Sequence, residues 1–182
     1  MSVYFKLIAN WTGVLVFFCL IGCGNQRPPI HNVPKVDLER FMGSWYVVAN
    51  IPTFIEKGAH NAIESYRLNS DGTIATTFTF REGGFDGPEK RLEPTGFVID
   101  TSSNAIWDMQ FFWPIKSDYR IVYLSSDYGE TIIGREARDY VWIMARNPHL
   151  SDEKLQKLIQ ITVAEGYDPG KILRVPQQWG QR

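Results

Sequence analysis

"RFMGSWYVVANIP", residues 40–52, sets a Gly-Ser-Trp step at the head of an apolar run that Pro52 ends. Trp45 to Ile51 are almost all β-branched or aromatic, which reads as a strand. A glycine two residues ahead of the indole marks a position where a Cβ would collide with something or where the backbone needs a conformation other residues avoid. Side chains alternate across a strand, so an inward Trp45 carries Val47 and Ala49 inward with it.

Working outward, the same kind of segment recurs at hairpin spacing. "AIESYRL" ends at "NSDG" (69–72), and "TIATTFTF" ends in the glycine-rich "EGGFDGPE". "PTGFVID", "AIWDMQFFW", "DYRIVYL", "TIIGRE" and "YVWIMAR" follow, the middle pair of turns being "SSN" and "SSDYGE". These eight strands in order, with no helix between them, predict an antiparallel meander, either barrel or sandwich. One helix comes after them. Ser151 is its expected N-cap, and Leu155, Leu158, Ile159, Thr162 and Val163 fall on one face. Gly166 and Pro169 end it. The choice between barrel and sandwich rests on what the alternating faces hold. Tyr140, Trp142, Met144 and Arg146 share one face, and Trp107, Met109, Phe111 and Trp113 share another. Such faces are too bulky to lie outside, and an eight-stranded barrel is just wide enough to fill itself or hold one small ligand.

The composition agrees with one domain that has a large aromatic core. Of 182 residues, 44% are apolar and 14% aromatic, with six Trp, eight Tyr and eleven Phe. A net charge of −1 from 19 basic and 20 acidic residues gives no electrostatic footprint for nucleic acid. Residues 1–22 read as a secretory leader: Lys6, then an apolar region cleanest from Val14 to Ile21, too short for the ~20 residues of a membrane span. A membrane-spanning anchor is the other reading. "LIGC" (20–23) resembles the lipobox of bacterial lipoproteins, which implies acylation of Cys23, with an incidental cysteine as the alternative. Gly24 stands where such lipoproteins carry Asp when they stay in the inner membrane, so the resemblance implies the outer membrane. Residues 23–35, with Pro28, Pro29 and Pro34, then read as an extended tether reaching roughly 35–40 Å. Residues 36–182 are the barrel and helix.

Three regions in order, "GSW", "SSDYG" and "WIMARNP", resemble the signature regions of the lipocalins over nearly the whole mature chain. With the lipobox they resemble the bacterial outer-membrane branch. The resemblance implies an all-β fold: an eight-stranded antiparallel up-and-down barrel of the calycin type, with a C-terminal helix packed outside. It also implies structural roles for Gly43, Trp45, Asp127, Tyr128 and Arg146, with Trp45 across the closed end and the Arg146 guanidinium laid on it. A fatty acid or lysophospholipid is the implied ligand, held for storage, transport or membrane maintenance on the periplasmic side. Homodimers occur in that branch, though no interface is legible here.

Catalysis finds little support in the residues. The three histidines (His31, His60, His149) share no neighbourhood with a nucleophile, and metal-ligand spacings are missing. No cofactor is expected. Glu64 is the one acid whose strand parity turns it inward, either structurally paired or facing ligand. Strand parity also directs Tyr66, Phe78, Phe111, Trp113, Tyr119, Tyr140 and Trp142 toward a cavity, as it does Tyr123. Of these, Trp113, Tyr119 and Tyr140 are expected farthest from the Trp45–Arg146 floor. Phe54 and Ile55 are candidates for a greasy lid. A lipid-metabolising enzyme or a filled, non-binding barrel are the rival readings.

Overall fold

The computed structural model describes residues 27–179; the leader, the lipobox and Cys23 lie outside the described residues. Its strands are β1 (Gly43–Ile51), β2 (Ala59–Leu68), β3 (Ile74–Glu82), β4 (Glu89–Leu92), β5 (Thr95–Val98), β6 (Ile106–Phe112), β7 (Ile115–Leu124), β8 (Glu130–Gly134), β9 (Val141–Ala145) and β10 (Leu173–Arg174). All pairings are antiparallel, and β9 returns to β1 to close the sheet. β4 and β5 both pair with β3 and are two halves of one barrel strand, interrupted at Glu93–Pro94, where Pro94 has no N–H to donate. The result is the closed eight-stranded barrel that the alternation and the signature regions predict. β4 itself has no sequence signal: "EKRL" is exposed and charged, held to β3 by Arg81–Glu89 (3.4 Å) and Lys90–Glu82 (3.2 Å). The short β10 pairs with the upper part of β1, where β2 has diverged.

Two apolar layers result. Inside the barrel lie Trp45, Val47, Tyr66, Phe80, Trp107, Met109, Ile121 and Met144. Outside it, Val48, Ile51, Val122, Ile132, Val141 and Ile143 meet the helix. In β1 and in β7 parity fails, in each case at a register shift. Ala49 and Tyr123, expected inside, belong to the outer layer, because irregularities at Val47/Ala49 and Ile121/Tyr123 each insert a residue and turn the following side chains over.

The helix α2 (Asp152–Ala164) starts as expected, the Ser151 hydroxyl accepting from the Lys154 amide, and Gly166 follows it at φ +93°. Leu155, Leu158 and Thr162 are buried, whereas Val163 at the edge of the stripe is 38% exposed. The segment expected to be a free tether as far as residue 35 is instead a docked strap from Pro28 onward. Ile30 is buried in the outer layer, the Val33 amide donates to the Ile121 carbonyl (3.0 Å), and the Val36 amide donates to that of Ser103 (2.7 Å). Apolar Ile30, Val33 and Val36 outweigh the prolines, which forbid a helix but not an extended strap.

Gly134, at the end of β8, sits under this strap. A Cβ there would come within 2.6 Å of the Tyr167 hydroxyl, 2.9 Å of Val122 Cγ2 and 3.2 Å of Ile30 Cδ1. Gly134→Ala is therefore expected to cost roughly 1–3 kcal/mol by overpacking, read as a lower midpoint in thermal unfolding. A midpoint equal to that of the unsubstituted protein would mean that the strap yields freely.

Candidate functional site: a barrel cavity above an aromatic floor

One end of the barrel is shut. The helix α1 (Leu38–Phe41), capped by Asp37, crosses beneath it. Arg146 reaches under from the end of β9 and donates to four carbonyls: Nη1 to Ser44 (2.8 Å), and Nη2 to Arg40 (3.1 Å), Phe41 (2.9 Å) and Met42 (2.7 Å). Its guanidinium carbon lies 3.8 Å from the centroid of the buried Trp45 ring, close enough for a cation–π contact. The Trp45 Nε1 donates to the Phe41 carbonyl (2.9 Å). Gly43 has φ +92°, and a Cβ there would stand 3.2 Å from Arg146 Nη1, so both conformation and space call for glycine. Asp127 and Tyr128 belong to the same end. The Asp127 carboxylate accepts from the Ser125 hydroxyl and the Gly129 amide, which hold it below its ordinary pKa. The Tyr128 ring lies 4.0 Å from the Arg40 guanidinium, and its hydroxyl accepts from the Asp37 amide.

Above this floor is an aromatic layer. Tyr66 and Tyr119 share a hydrogen bond between their hydroxyls, and Trp107 stacks on Tyr119 at 5.1 Å. The opposite end is open, ringed by residues 52–58, 83–88, 113–114 and 135–140. Between layer and mouth is a cavity of about 290 Å³ with a mostly apolar wall. That is at the small end of ligand sites, roughly 300–1,000 Å³, and suits one chain rather than two.

The expected residues divide clearly. Phe78, Phe111, Tyr119, Tyr140 and Trp142 border the cavity, and so do Phe54 and Ile55 of the β1–β2 loop. Tyr66 lies in the layer below and is not part of the wall. Trp113 is 86% exposed at the tip of the β6–β7 turn and outside the wall. The register shift between Met109 and Phe112 breaks the parity that would have carried it inward.

Polar groups on the wall were only partly legible. Glu64, on β2, is buried on the cavity wall, and its pKa is raised to about 8, first by burial and further by the Glu56 carboxyl, with the Tyr66 hydroxyl opposing. Glu56 itself, also buried, comes from the loop. Its carboxyl accepts from Trp142 Nε1 (3.0 Å) and the Thr53 amide (3.0 Å), and its pKa is raised by burial against those donors. Arg135, at the mouth, pairs with Asp139 (3.2 Å), and its buried Nε has no partner. Glu56 and Arg135 sit on irregular loops without periodicity, so strand parity had no purchase on them. Among the described residues no group of three His, Cys, Asp or Glu is arranged to hold a metal.

The model of the lipocalin-like domain matches residues 36–177. The chain belongs to the lipocalin family. This lipocalin is 31% identical to temperature-induced lipocalin-1 of Arabidopsis thaliana, over 84% of its own length and 85% of the relative's. It is 27% identical to the outer membrane lipoprotein Blc of Escherichia coli K12, over 88% and 91%. Among solved structures, insecticyanin from the tobacco hornworm Manduca sexta superposes with a TM-score of 0.65 at 14% identity, covering 86% and 87% of the two chains. That distance shows a shared barrel alone.

Proposed function

We propose that this lipocalin is a lipoprotein of the outer membrane, acylated at Cys23 and facing the periplasm, that carries one fatty acid or lysophospholipid non-covalently for storage, transport or membrane maintenance. The observation that carries this reading is the apolar cavity, closed below and open above, with a cation at its mouth. An acyl chain in it gains about 0.8 kcal/mol per buried CH₂ in gross terms, before the costs of ordering and association. Arg135 and Tyr140, which both border the cavity, are the partners this reading assigns to a phosphate or carboxylate headgroup. The relatives named outer membrane lipoproteins support the compartment. The role is binding rather than catalysis: the wall is mostly apolar, its Glu56 carboxyl is already engaged by Trp142, and neither histidine nor cysteine is among the described residues that line it.

Native mass spectrometry of the detergent-extracted, delipidated full chain tests this. Fatty acid or lysophospholipid added back is expected to give a 1:1 adduct. Ser117→Trp, which fills the cavity from β7, is expected to weaken the adduct at least tenfold, and Ile99→Ala at the closed end to leave it unchanged. A folded protein that takes up neither lipid would refute the carrier reading. The same spectra report acylation of Cys23 and whether the protein is a monomer or a homodimer.

A further inference from the structure

The strap and the rim of the barrel together indicate which way the cavity faces. The strap emerges at the open end: Arg138 Nη2 donates to the Pro28 carbonyl (2.7 Å), and the Ile30 amide donates to Glu136 (3.3 Å). Both partners lie on the β8–β9 loop, at the mouth. Pro28 is only five positions after Cys23, a span of at most about 17 Å, whereas the nine-residue β1 separates mouth from floor by roughly 30 Å. An anchor at Cys23 thus tethers the mouth and not the floor.

The same end carries most of the exposed apolar bulk. Phe54 (87% exposed), Phe112 (66%), Trp113 (86%) and Ile115 (69%) ring the opening, while the closed end contributes Ile99. Clustered exposed side chains of this kind mark a contact surface, and Trp and Phe suit the interface between water and lipid. The exposed charges of the rim loops show no positive excess: Lys57 stands with Asp86, Glu136 and Asp139, while Arg135 is half-buried against Asp139 and the Arg138 side chain is buried. The rim is therefore suited to insertion into lipid without a requirement for anionic headgroups.

We propose that the open end of the barrel rests on the bilayer that holds the anchor, with Phe54, Phe112, Trp113 and Ile115 in its interfacial layer, so that the cavity exchanges lipid directly with that membrane. The tether half of this inference rests on the reading of Cys23 as acylated; the rim half stands without it.

The test uses the full chain, with Cys23 acylation read by mass, reconstituted into phosphatidylcholine vesicles with or without brominated acyl chains. Brominated lipid is expected to quench tryptophan emission, and Trp113→Phe to remove more than half of the lipid-dependent loss. In parallel, the unacylated Cys23→Ser protein is mixed with the same vesicles. Phe54→Ser with Phe112→Ser, both exposed and expected to leave thermal unfolding unchanged, should reduce its vesicle binding at least fivefold. An acylated protein whose Trp113 is not quenched overturns the proposal, as does a dimer that buries the rims against each other. If Cys23 carries no lipid but the rim still binds vesicles with Trp113 quenched, docking stands and the anchor reading falls. Neither acylation nor vesicle binding overturns both.

Discussion

Trp45→Ala is expected to lower stability by about 3–5 kcal/mol, the range for emptying a fully buried large aromatic site. The buried indole is the middle of the floor, touching Phe41 at 5.1 Å and covering the Arg146 guanidinium. Its loss also exposes that guanidinium and removes the donor to the Phe41 carbonyl. Trp45→Phe keeps the ring and should recover more than half of the deficit. Arg146→Lys should not recover as well relative to Arg146→Ala, since an ammonium is a single point of contact and cannot serve the carbonyls of Arg40, Phe41, Met42 and Ser44 together. Thermal unfolding of the four variants is the measurement. Comparable midpoints for Trp45→Ala and the unsubstituted protein would show that the floor contributes little, and the role proposed for the Gly-Ser-Trp step would be withdrawn.

Glu64→Gln is expected to stabilise the protein at neutral and alkaline pH, and by an amount that grows with pH. The folded-state pKa of about 8 lies above the ordinary 4.5, so between these values the folded protein keeps a proton that the unfolded chain has released. Stability attached to this group is therefore fully present below about pH 4.5, falls as pH rises, and is lost above about pH 8. Each unit of displacement corresponds to ~1.4 kcal/mol, so the penalty reaches several kcal/mol. Removing the ionisable group should raise the midpoint by roughly 10–20 °C at pH 8.5 and hardly at all at pH 4.5, at roughly 2–4 °C per kcal/mol for a chain of this size. Glu56 is better provided for as an anion, with donors from Thr53 and Trp142, so Glu56→Gln should have the smaller pH-dependent effect and should loosen the β1–β2 loop instead. A Glu64→Gln protein whose advantage is the same at both pH values would mean that the carboxyl reaches solvent and ionises normally.

These two sites also show how far reading residues in order can go. Trp45 and Arg146 are a hundred positions apart, yet the strand alternation around each, together with the lipocalin signature regions, was enough to expect them at one end of one barrel. The helix was equally legible, since its cap, its apolar stripe and the glycine that ends it are all local features of the one stretch from Ser151 to Gly166. The aromatic faces of β6 and β9 pointed to a barrel wide enough for a ligand, and of the eight residues directed inward by parity Phe78, Phe111, Tyr119, Tyr140 and Trp142 border the cavity, whereas Tyr66, Trp113 and Tyr123 do not.

Where the reading failed, a long-range pairing had intervened. A strand's alternation carries no record of the register shifts that turn Ala49 and Tyr123 outward or release Trp113 into solvent, because a bulge is decided by what the neighbouring strand offers. β4 forms on charged residues that would not hold a strand unaided; it exists because β3 extends beyond β5 and presents unpaired backbone. The strap docks because Ile30 finds the outer apolar layer, which is assembled from strands far along the chain. Glu56 and Arg135 reach the cavity on loops whose course depends on the barrel beneath them. Local sequence thus determined the strands, their order and the helix, since these follow from backbone preference and alternation, and the resemblance to lipocalins implied the two ends of the floor. Only the tertiary structure decided which way the bulged strands face, where Glu56 and Arg135 lie, and that the strap leaves by the mouth, because each depends on contacts between segments that sequence order does not bring together.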